Sequence, residues 1–329
     1  MALPTDSSQL SRPGQEVGTG AVDALYIDEY GGAVEGTVAK KSFMRQYVNI
    51  KPVRGTDTIT NDRVGSASLQ KVTPGVRPEG TPTQFDNVSV KVDTIVLARN
   101  NVALLDDFQS HFSVRMSLGE EHGKTIAKFF DEAFIIQAIK CALKDATGLP
   151  TGWAGGTRVE LAAATNELDP VLLTRGIEDV CQGMEEKDID LDGAVCLVSP
   201  AQYYTLLRND KLVSAEYSVG NGNYAQGKIL EANGIPIVKT NRIPTAAITG
   251  HYLSNAGNSN AYDLVTGDQT DCVAIVMLPK ALLAGETIPL TSKVYYMDSE
   301  LQWFIDSYLA FAVTPNRPDN CGILLKYRA

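Results

Sequence analysis

The order of the parts along this chain constrains its fold more than any single motif does. Residues 1 to about 100 contain strand-like pieces and polar turns but few apolar residues to bury, whereas residues 113–145 predict one dominant helix. The first third of a compact enzyme rarely has so few residues that can join a core. The order is typical of a protein whose arms pack on neighbouring copies, so the sequence favours self-assembly.

The bulk composition is that of a folded protein and excludes global disorder. Hydrophobic residues make up 44% and charged residues 21% of the 329 residues, enough for one large domain or two smaller ones. The net charge of −10 and the pI of about 4.9 argue against a surface that binds nucleic acid tightly. An acidic shell that encloses nucleic acid is compatible with this charge, because a negatively charged inner surface repels nucleic acid and does not bind it.

The cysteines and the N-terminal residues point to a reducing compartment. Five cysteines stand far apart with no Cys-x-x-Cys pair, which predicts buried, reduced thiols and no zinc site: Cys141, Cys181, Cys196, Cys272 and Cys321. The segment Met1–Ser8 lacks the basic flank and apolar run of a signal peptide, and no apolar run is long enough to span a bilayer. We therefore expect no membrane partner and no cofactor, and folding in a cytoplasm.

The first third predicts a mobile arm followed by a long two-stranded ribbon. Residues 1–20 are rich in Ser, Gly, Pro and Gln, and residues 23–44 form a short piece that docks on another surface. Residues 45–55 and 88–97 alternate as strands do, with polar turn residues between them. An isolated ribbon is marginally stable in water, and the chain nearby offers little for it to pack on. We therefore expect the ribbon to pack on a neighbouring subunit.

The dominant helix is predicted from about Ser113 to Lys144, which corresponds to roughly 45–48 Å. Ser117 and Glu120 fit a capping box near its start, and the apolar residues that follow form a broad face.

The remaining elements alternate between helices and buried strands. Asp169 and Pro170 predict the start of a second helix, and Ser199 that of a short helix ending at Leu207. Residues 245–270 are rich in loop formers. Strands are predicted at residues 194–198, 235–239, 272–278, 294–297, 301–313 and 322–326.

A first motif resembles a phosphate-binding loop but lacks a required residue. The segment Gly222–Lys228 has the glycine spacing and the lysine, but Ile229 stands where a magnesium-binding Ser or Thr is needed. No apolar strand leads into it, so a flexible turn before a strand is the favoured interpretation.

A second motif resembles the start of a calcium loop. Asp188, Asp190 and Asp192 are correctly spaced, but Ser199 replaces the bidentate glutamate at the twelfth position. A solvated acidic turn is favoured, and cation binding by these aspartates is left open.

The histidines and tryptophans carry no catalytic pattern. His111, His122 and His251 are widely separated, and no Gly-x-Ser-x-Gly elbow occurs, so we expect structural histidines and no catalytic residues. Trp153 and Trp303 are expected to be packing anchors.

Three charged residues near the tip of the ribbon are candidate contacts between subunits: Lys71, Arg77 and Glu79. A single exposed ion pair contributes only about 0–1 kcal/mol. Repeated across a closed lattice, such pairs can set the register between copies.

The complete order of parts resembles the major capsid proteins of tailed bacteriophages with the Hong Kong-97-type α+β fold. The similarity covers nearly the whole chain and is greatest to the capsid proteins of short-tailed, T-seven-like phages. It is carried by the arm and ribbon, by Asp106–Phe112 leading into the long helix, by Val195–Leu207 as strand then helix, and by Asn233–Pro244. No single motif is diagnostic.

The resemblance implies five parts along the chain. They are an N-terminal arm at 1–44, an extended E-loop at 45–102, a peripheral domain with a long spine helix at 103–186, an axial domain at 187–285, and return strands at 286–329 that complete the peripheral domain. Loops near 209–228 and 245–270 would meet at the capsomer axes.

The resemblance also implies a structural protein and its partners. Copies would form hexamers and pentamers in an icosahedral shell around double-stranded DNA, assembled in the bacterial host cytoplasm with a scaffolding protein and a portal protein. Decoration proteins and the triangulation number are left open.

Three other classes remain as alternatives. One is a minor virion or tail component, which would differ in copy number per particle. An encapsulin-like compartment shares this fold and would hold cargo enzymes in place of DNA. An α/β hydrolase-type enzyme would need convergent titratable groups, which the sequence does not reveal.

Overall fold

Helices and strands are interspersed throughout the described chain, which gives an α+β structure. The computed structural model describes residues 37, 42–75, 77, 80, 82–104, 114–209, 212, 222–223, 228–229 and 231–328, so most of the predicted arm lies outside it. The helices are α1 Met44–Tyr47, α2 Val114–Ala142, α3 Pro170–Glu185 and α4 Pro200–Leu206. The strands are β1 Ile50–Pro52, β2 Thr58–Val64, β3 Phe85–Lys91, β4 Val96–Ala103, β5 Thr157–Glu160, β6 Val195–Val198, β7 Gly222–Asn223, β8 Lys228–Ile229, β9 Glu231–Ala232, β10 Ile235–Lys239, β11 Cys272–Met277, β12 Leu282–Met297, β13 Gln302–Pro315 and β14 Cys321–Leu325.

The chain divides into two units. The smaller unit comprises Met1–Phe43, Thr94–Phe130 and Thr287–Phe311. The larger unit comprises Met44–Asp93, Asp131–Glu286 and Ala312–Ala329.

A six-stranded mixed sheet forms the centre of the larger unit. Its order is β5–β14–β11–β6–β10–β9. Strand β11 is antiparallel to β6 and β14, whereas β10 is parallel to β6 and β14 is parallel to β5. Every residue of β6, β11 and β14 is buried, as the short continuous apolar runs predict.

Helix α3 packs on this sheet and begins where the sequence predicts. The Oδ1 atom of Asp169 accepts hydrogen bonds from the backbone N–H groups of Val171 and Leu172 at 2.8 and 3.1 Å. A Cβ atom at Gly322 would lie only 2.5 Å from Cγ1 of Val180. Glycine at this position of β14 therefore allows the helix to approach closely.

The long helix α2 lies within the predicted range 113–144, but its capping and its burial differ from the prediction. It has 29 residues, or about 43 Å, and already includes Val114, so Ser117 is not its N-cap. Residues 114–116 include no helix breaker, so the helix runs through the capping-box pattern. Residues 133–139 are buried on all sides of the helix instead of on one face.

The segment 250–263 accounts for part of this burial. Gln137 Nε2 and Lys140 Nζ of α2 donate to the carbonyl oxygen of Ala261 at 2.9 and 2.7 Å. The Tyr262 hydroxyl donates to the carbonyl of Val313 and accepts from its N–H. The predicted loop 245–270 is indeed mostly irregular, but its middle is fixed on α2 and β13.

The smaller unit contains a sheet made by β4, β13 and the later part of β12. Strands β13 and β4 are antiparallel, in register from Gln302↔Ala103 to Leu309↔Val96. One face of β13 is buried through Ile305, Ser307 and Leu309.

The ribbon forms, but between different residues from those predicted. Strands β2 and β3 pair antiparallel from Thr58↔Lys91 to Val64↔Phe85. The prediction that 45–55 forms the first strand of the ribbon was wrong: Met44–Tyr47 is helical, and the strand Ile50–Pro52 pairs in parallel with residues 284–286 of β12. Side chains of residues 58–64 alternate between two faces as well as those of residues 45–55 do. Because Ile50–Pro52 pairs with the distant β12, residues 58–64 form the ribbon strand instead.

Candidate functional site

The inner face of the ribbon packs on its own chain. Val90 of β3 is buried against Leu283 and Ala312, with Ile59 and Val88 packed beside them. The conclusion that the ribbon must pack on a neighbouring subunit, because the chain nearby offers little for it to pack on, was therefore wrong for the inner face. The apolar surface comes from β12 and β13, which lie roughly two hundred residues further along the sequence.

Arg63 is the charged residue at the centre of the ribbon's attachment. Its side chain is only 2% exposed and donates to Asp86 Oδ2 at 3.3 Å, to the carbonyl of Pro315 at 3.4 Å, and to the carbonyl of Asn316. A guanidinium buried to this extent needs several acceptors, because its hydration is lost. Arg63 therefore ties β2 to the end of β13.

Trp153 holds the ribbon from a second loop, as the packing-anchor prediction expected. The guanidinium carbons of Arg63 and Arg317 lie 5.5 and 4.4 Å from the centroid of its ring. The indole Nε1–H donates to the carbonyl of Val64 at 2.9 Å. Cation–π contacts and this hydrogen bond together fix the distal end of β2.

The two ends of the exposed loop 65–84 are joined to each other and to the same second loop. The N–H of Gly65 donates to the carbonyl of Gln84, and the N–H of Ser66 donates to the carbonyl of Thr151, both at 2.8 Å. The hydroxyl of Thr151 donates to Gln84 Oε1 at 2.8 Å. Gly152 has a φ of +87°, and a Cβ atom there would lie 2.2 Å from Ser66 Oγ, so glycine is required. We call Arg63, Gln84, Thr151, Trp153 and Arg317 the ribbon anchor.

Beyond the anchor, the described loop residues 66–75, 77, 80 and 82 are exposed. Lys71 and Arg77 are exposed, whereas Glu79 lies outside the described residues. Leu69 is fully exposed, and Val72 is also exposed. The structure thus places two of the three predicted contact residues on one exposed loop, and charges and apolar side chains are presented together there.

The anchor residues were largely missed by reasoning from sequence. Only Trp153 was singled out, because tryptophan is rare and large. The alternation of residues 58–64 was the available signal for Arg63, which falls on the same face as Ile59 and Asn61. Its acceptors at residues 315 and 316 could not be inferred locally.

The two described histidines, His122 and His251, are buried and make contacts within the fold. Burial lowers the pKa of His122 and of His251, with nearby carboxylates opposing the change. His122 Nε2 lies 3.1 Å from Asn100 Oδ1, and Nδ1 of His251 accepts from the N–H of Leu253. His111 lies outside the described part of the chain.

The five cysteines are all buried and unpaired by disulfides, as predicted. Burial raises the pKa of Cys181 to about 11, and it raises the pKa values of Cys196 and Cys272 further. Such thiols remain protonated at neutral pH and are poor nucleophiles.

The acidic motif at 188–192 forms a turn. The N–H of Asp192 donates to Asp190 Oδ1 at 3.0 Å, and no group of three or more metal-binding side chains converges in the described part of the chain. In the other motif, Gly222–Asn223 pairs antiparallel with Lys228–Ile229, where a phosphate-binding loop would require a helix, and residues 224–227 lie outside the described part of the chain. The described helices include none that is long and apolar enough to cross a membrane.

The architecture matches solved shells. The chain is 26% identical to a chain of the mature capsid of bacteriophage PhiM1, with 88% of each chain covered and a TM-score of 0.75. It resembles the capsid of cyanophage P-SCSP1u at 20% identity, covering 88% and 89% of the two chains, with a TM-score of 0.77. A virus-like particle from Pyrococcus furiosus shares the fold at 12% identity and a TM-score of 0.52, over 91% and 99% of the chains. A comparison with curated proteins found no match.

These similarities define the class as a shell-forming capsid protein with the Hong Kong-97-type α+β fold. Residues 87–291 match the family model described as Gp10A-like major capsid protein, which is well over half of the chain. The chain belongs to this family.

Membership of the family decides between the alternatives. The protein is a structural component of a phage virion shell and not an enzyme, which rejects the hydrolase alternative. A protein compartment is less supported, because the phage capsids match with higher TM-scores than the virus-like particle does. The narrower assignment to T-seven-like phages stays a prediction.

Proposed function

We propose that this capsid protein assembles as hexamers and pentamers into an icosahedral shell that encloses the double-stranded DNA genome of a tailed phage. The observation that carries the proposal is the family match over residues 87–291. The net charge of −10 supports enclosure of DNA without tight, specific binding.

The proposal assigns a role to each part of the chain. Residues 1–44 are the arm, 45–102 the E-loop, 103–186 the peripheral domain, 187–285 the axial domain and 286–329 the return strands. The exposure of the described loop residues beyond the ribbon anchor supports the E-loop assignment.

Lys71, Arg77 and Glu79 contact a neighbouring copy in this proposal. The exposure of Lys71 and Arg77 supports this role. Contacts between copies of a closed shell are heterologous and repeated, so individually weak contacts add up through multivalency.

Assembly takes place in the bacterial host cytoplasm with a scaffolding protein and a portal protein. Decoration proteins are a further partner class that the proposal admits. The buried, reduced cysteines are compatible with folding in that compartment.

Sedimentation with negative-stain electron microscopy tests the proposal. The protein is expressed alone and with the scaffolding protein of its phage. Closed shells, tubes or rings of six in the co-expressed sample support it. A small, monodisperse species in both samples overturns it.

A further inference from the structure

The end of the long helix α2 and the start of strand β14 each place a cysteine in the same part of the core of the larger unit. Cys141 lies in the last turn of α2, which ends at Ala142, and Cys321 is the first residue of β14. Both side chains are fully buried. The two cysteines are far apart in the sequence, so only the folded chain brings them together.

Each of the two sulfur atoms contacts the backbone turn that carries the other cysteine. Cys321 Sγ lies 3.3 Å from the carbonyl oxygen of Ala138, one helical turn before Cys141 in α2. Cys141 Sγ lies 3.7 Å from the carbonyl oxygen of Arg317, directly before the short turn Pro318–Asn320 that leads into Cys321. The two thiols also lie within hydrogen-bonding distance of each other. These reciprocal contacts place the two sulfur atoms side by side.

The contacts that surround the pair leave both side chains free to turn. Cys141 Sγ also lies 3.4 Å from the carbonyl oxygen of Ala281, so backbone carbonyls are the polar neighbours of both sulfur atoms. A thiol is a weak hydrogen-bond donor, and a sulfur atom held only by such contacts can change its rotamer at little cost. The approach of one sulfur atom to the other is therefore not opposed by strong bonds.

The other three cysteines provide a comparison within the same core. Cys196 lies on β6, Cys272 on β11 and Cys181 on α3, and all three are buried. In the described part of the chain, no hydrogen bond joins any of these three thiols to another thiol. The pair at the end of α2 is therefore the one arranged for reaction between two sulfur atoms.

We propose that Cys141 and Cys321 form a redox switch, in which a peroxide oxidises the pair to a disulfide that fastens the end of α2 to the central sheet. The Cys141 sulfur first attacks one peroxide oxygen. An S–O bond forms, the O–O bond breaks, and the second oxygen leaves as water with the thiol proton. The Cys321 sulfur then attacks the Cys141 sulfur, so that the S–S bond forms and the S–O bond breaks. The hydroxyl leaves as a second water with the proton of Cys321, which completes the oxidation of two thiols by one peroxide.

The order of the two steps follows from the state of Cys321. The hydrogen bond with Cys141 and burial raise the pKa of the Cys321 thiol well above its ordinary value. A thiol that ionises so reluctantly is poorly suited to attack the peroxide first. Because both thiols are also fully buried, the reaction is slow, and the pair stays reduced during folding in a reducing compartment.

The disulfide stabilises the subunit by a long-range covalent link. It closes the segment 141–321 into a loop, and a link across a long loop restricts the unfolded chain more than one across a short loop. In the proposed function this link forms after the shell has left the reducing cytoplasm. The reaction itself does not depend on assembly, since both cysteines belong to one subunit.

Thiol counting tests the inference on unassembled subunits. The folded protein is treated with hydrogen peroxide, then denatured and alkylated, and the modified cysteines are counted by peptide mass mapping. The untreated protein should show five alkylated cysteines. The treated protein should show two fewer, with the peptides of Cys141 and Cys321 joined and lighter by two hydrogen atoms. A reductant should restore all five, and oxidation should raise the melting temperature by several degrees.

Two variants separate the proposed pair from the remaining thiols. Cys321→Ala should form no disulfide and should show no rise in melting temperature after treatment. Cys196→Ala is the matched control, because it removes a similarly buried thiol from the same sheet and should still lose two alkylated cysteines. If Cys321→Ala does not fold, the mapping on the unmodified protein decides the question.

Three results overturn the inference. They are retention of all five free thiols after the methionines have been oxidised, a disulfide between any other two cysteines, and a melting temperature that oxidation does not raise. Failure of the protein to form shells overturns the proposed function instead and leaves this inference in place, because the assay uses single subunits.

Discussion

The guanidinium carbon of Arg63 lies 5.5 Å from the centroid of the Trp153 ring. Arg63 also donates to the backbone of residues 315 and 316, and Trp153 donates to the backbone of Val64. The two side chains therefore fasten the end of the ribbon to the rest of the larger unit. The two ends of the loop 65–84 are held by this anchor.

Replacing Arg63 by Met should destabilise the subunit. Two backbone carbonyls and Asp86 lose their donor, so we expect a decrease of about 2–4 kcal/mol in the free energy of unfolding. The matched control is Lys91→Met, which removes an exposed pair with Asp57 on the same ribbon and should cost less than about 1 kcal/mol. Urea unfolding of unassembled subunits measures both changes, and equal losses would argue against the anchor.

Replacing Trp153 by Ala should loosen the ribbon. The ring contacts with Arg63 and Arg317 and the bond to Val64 disappear together, for a loss of about 2–3 kcal/mol at this half-buried position. Trp153→Phe keeps a ring and loses only the indole donor, so about 1 kcal/mol is expected. Limited proteolysis should cut between residues 65 and 84 faster in the alanine variant than in the phenylalanine variant. Identical cleavage rates would contradict the role assigned to the ring.

Gly152→Ala should be poorly tolerated for two separable reasons. The positive φ costs about 1–2 kcal/mol for a residue with a Cβ atom, and that atom would clash with Ser66 Oγ. Adding Ser66→Gly removes the clash but not the backbone strain, so thermal denaturation should show partial recovery in the double variant. Additive destabilisation by the two substitutions would disprove the steric explanation.

Stability should depend on pH through the buried histidines. Burial holds the pKa of His122 below its ordinary value of 6.5, so the folded state binds fewer protons than the unfolded state. The stabilisation is therefore complete above about pH 6.5 and decreases as the pH falls through the lower folded pKa. His251 contributes in the same direction.

Substituting His122 by Gln should flatten this dependence. The slope of unfolding free energy against pH, measured on unassembled subunits from about pH 7.5 to 5.5, should be smaller than in the unmodified protein. An unchanged slope would mean that the proton is taken up elsewhere.

Reversing the charges at Arg77 and Glu79 should impair shell formation more than folding. The double reversal Arg77→Glu with Glu79→Arg leaves the net charge unaltered, so a loss of particles in sedimentation would report local contacts between copies. Circular dichroism should show a folded subunit. Normal particle yield, or insoluble subunits, would count against these residues as contacts.

Features set by neighbouring residues could be predicted from the sequence. The start of α3 depends on Asp169 and Pro170, whose capping action needs no distant partner. The fully apolar runs of β6, β11 and β14 likewise identify buried strands.

Features set by distant residues could not be predicted from the sequence. Residues 45–55 and 58–64 alternate equally well, and pairing of Ile50–Pro52 with β12 settles which of them joins the ribbon. Arg63 resembles any exposed arginine until residues 315 and 316 supply its acceptors. The burial of 133–139 on all sides of α2 similarly requires the segment near Ala261.

The most direct test of the account is a cryo-electron microscopy reconstruction of the particles formed when this protein is co-expressed with its scaffolding protein. The account predicts a closed icosahedral shell of hexamers and pentamers, in which residues 71–79 of each copy lie on a neighbouring copy. A small soluble species, or a shell in which these residues contact no other subunit, would contradict it.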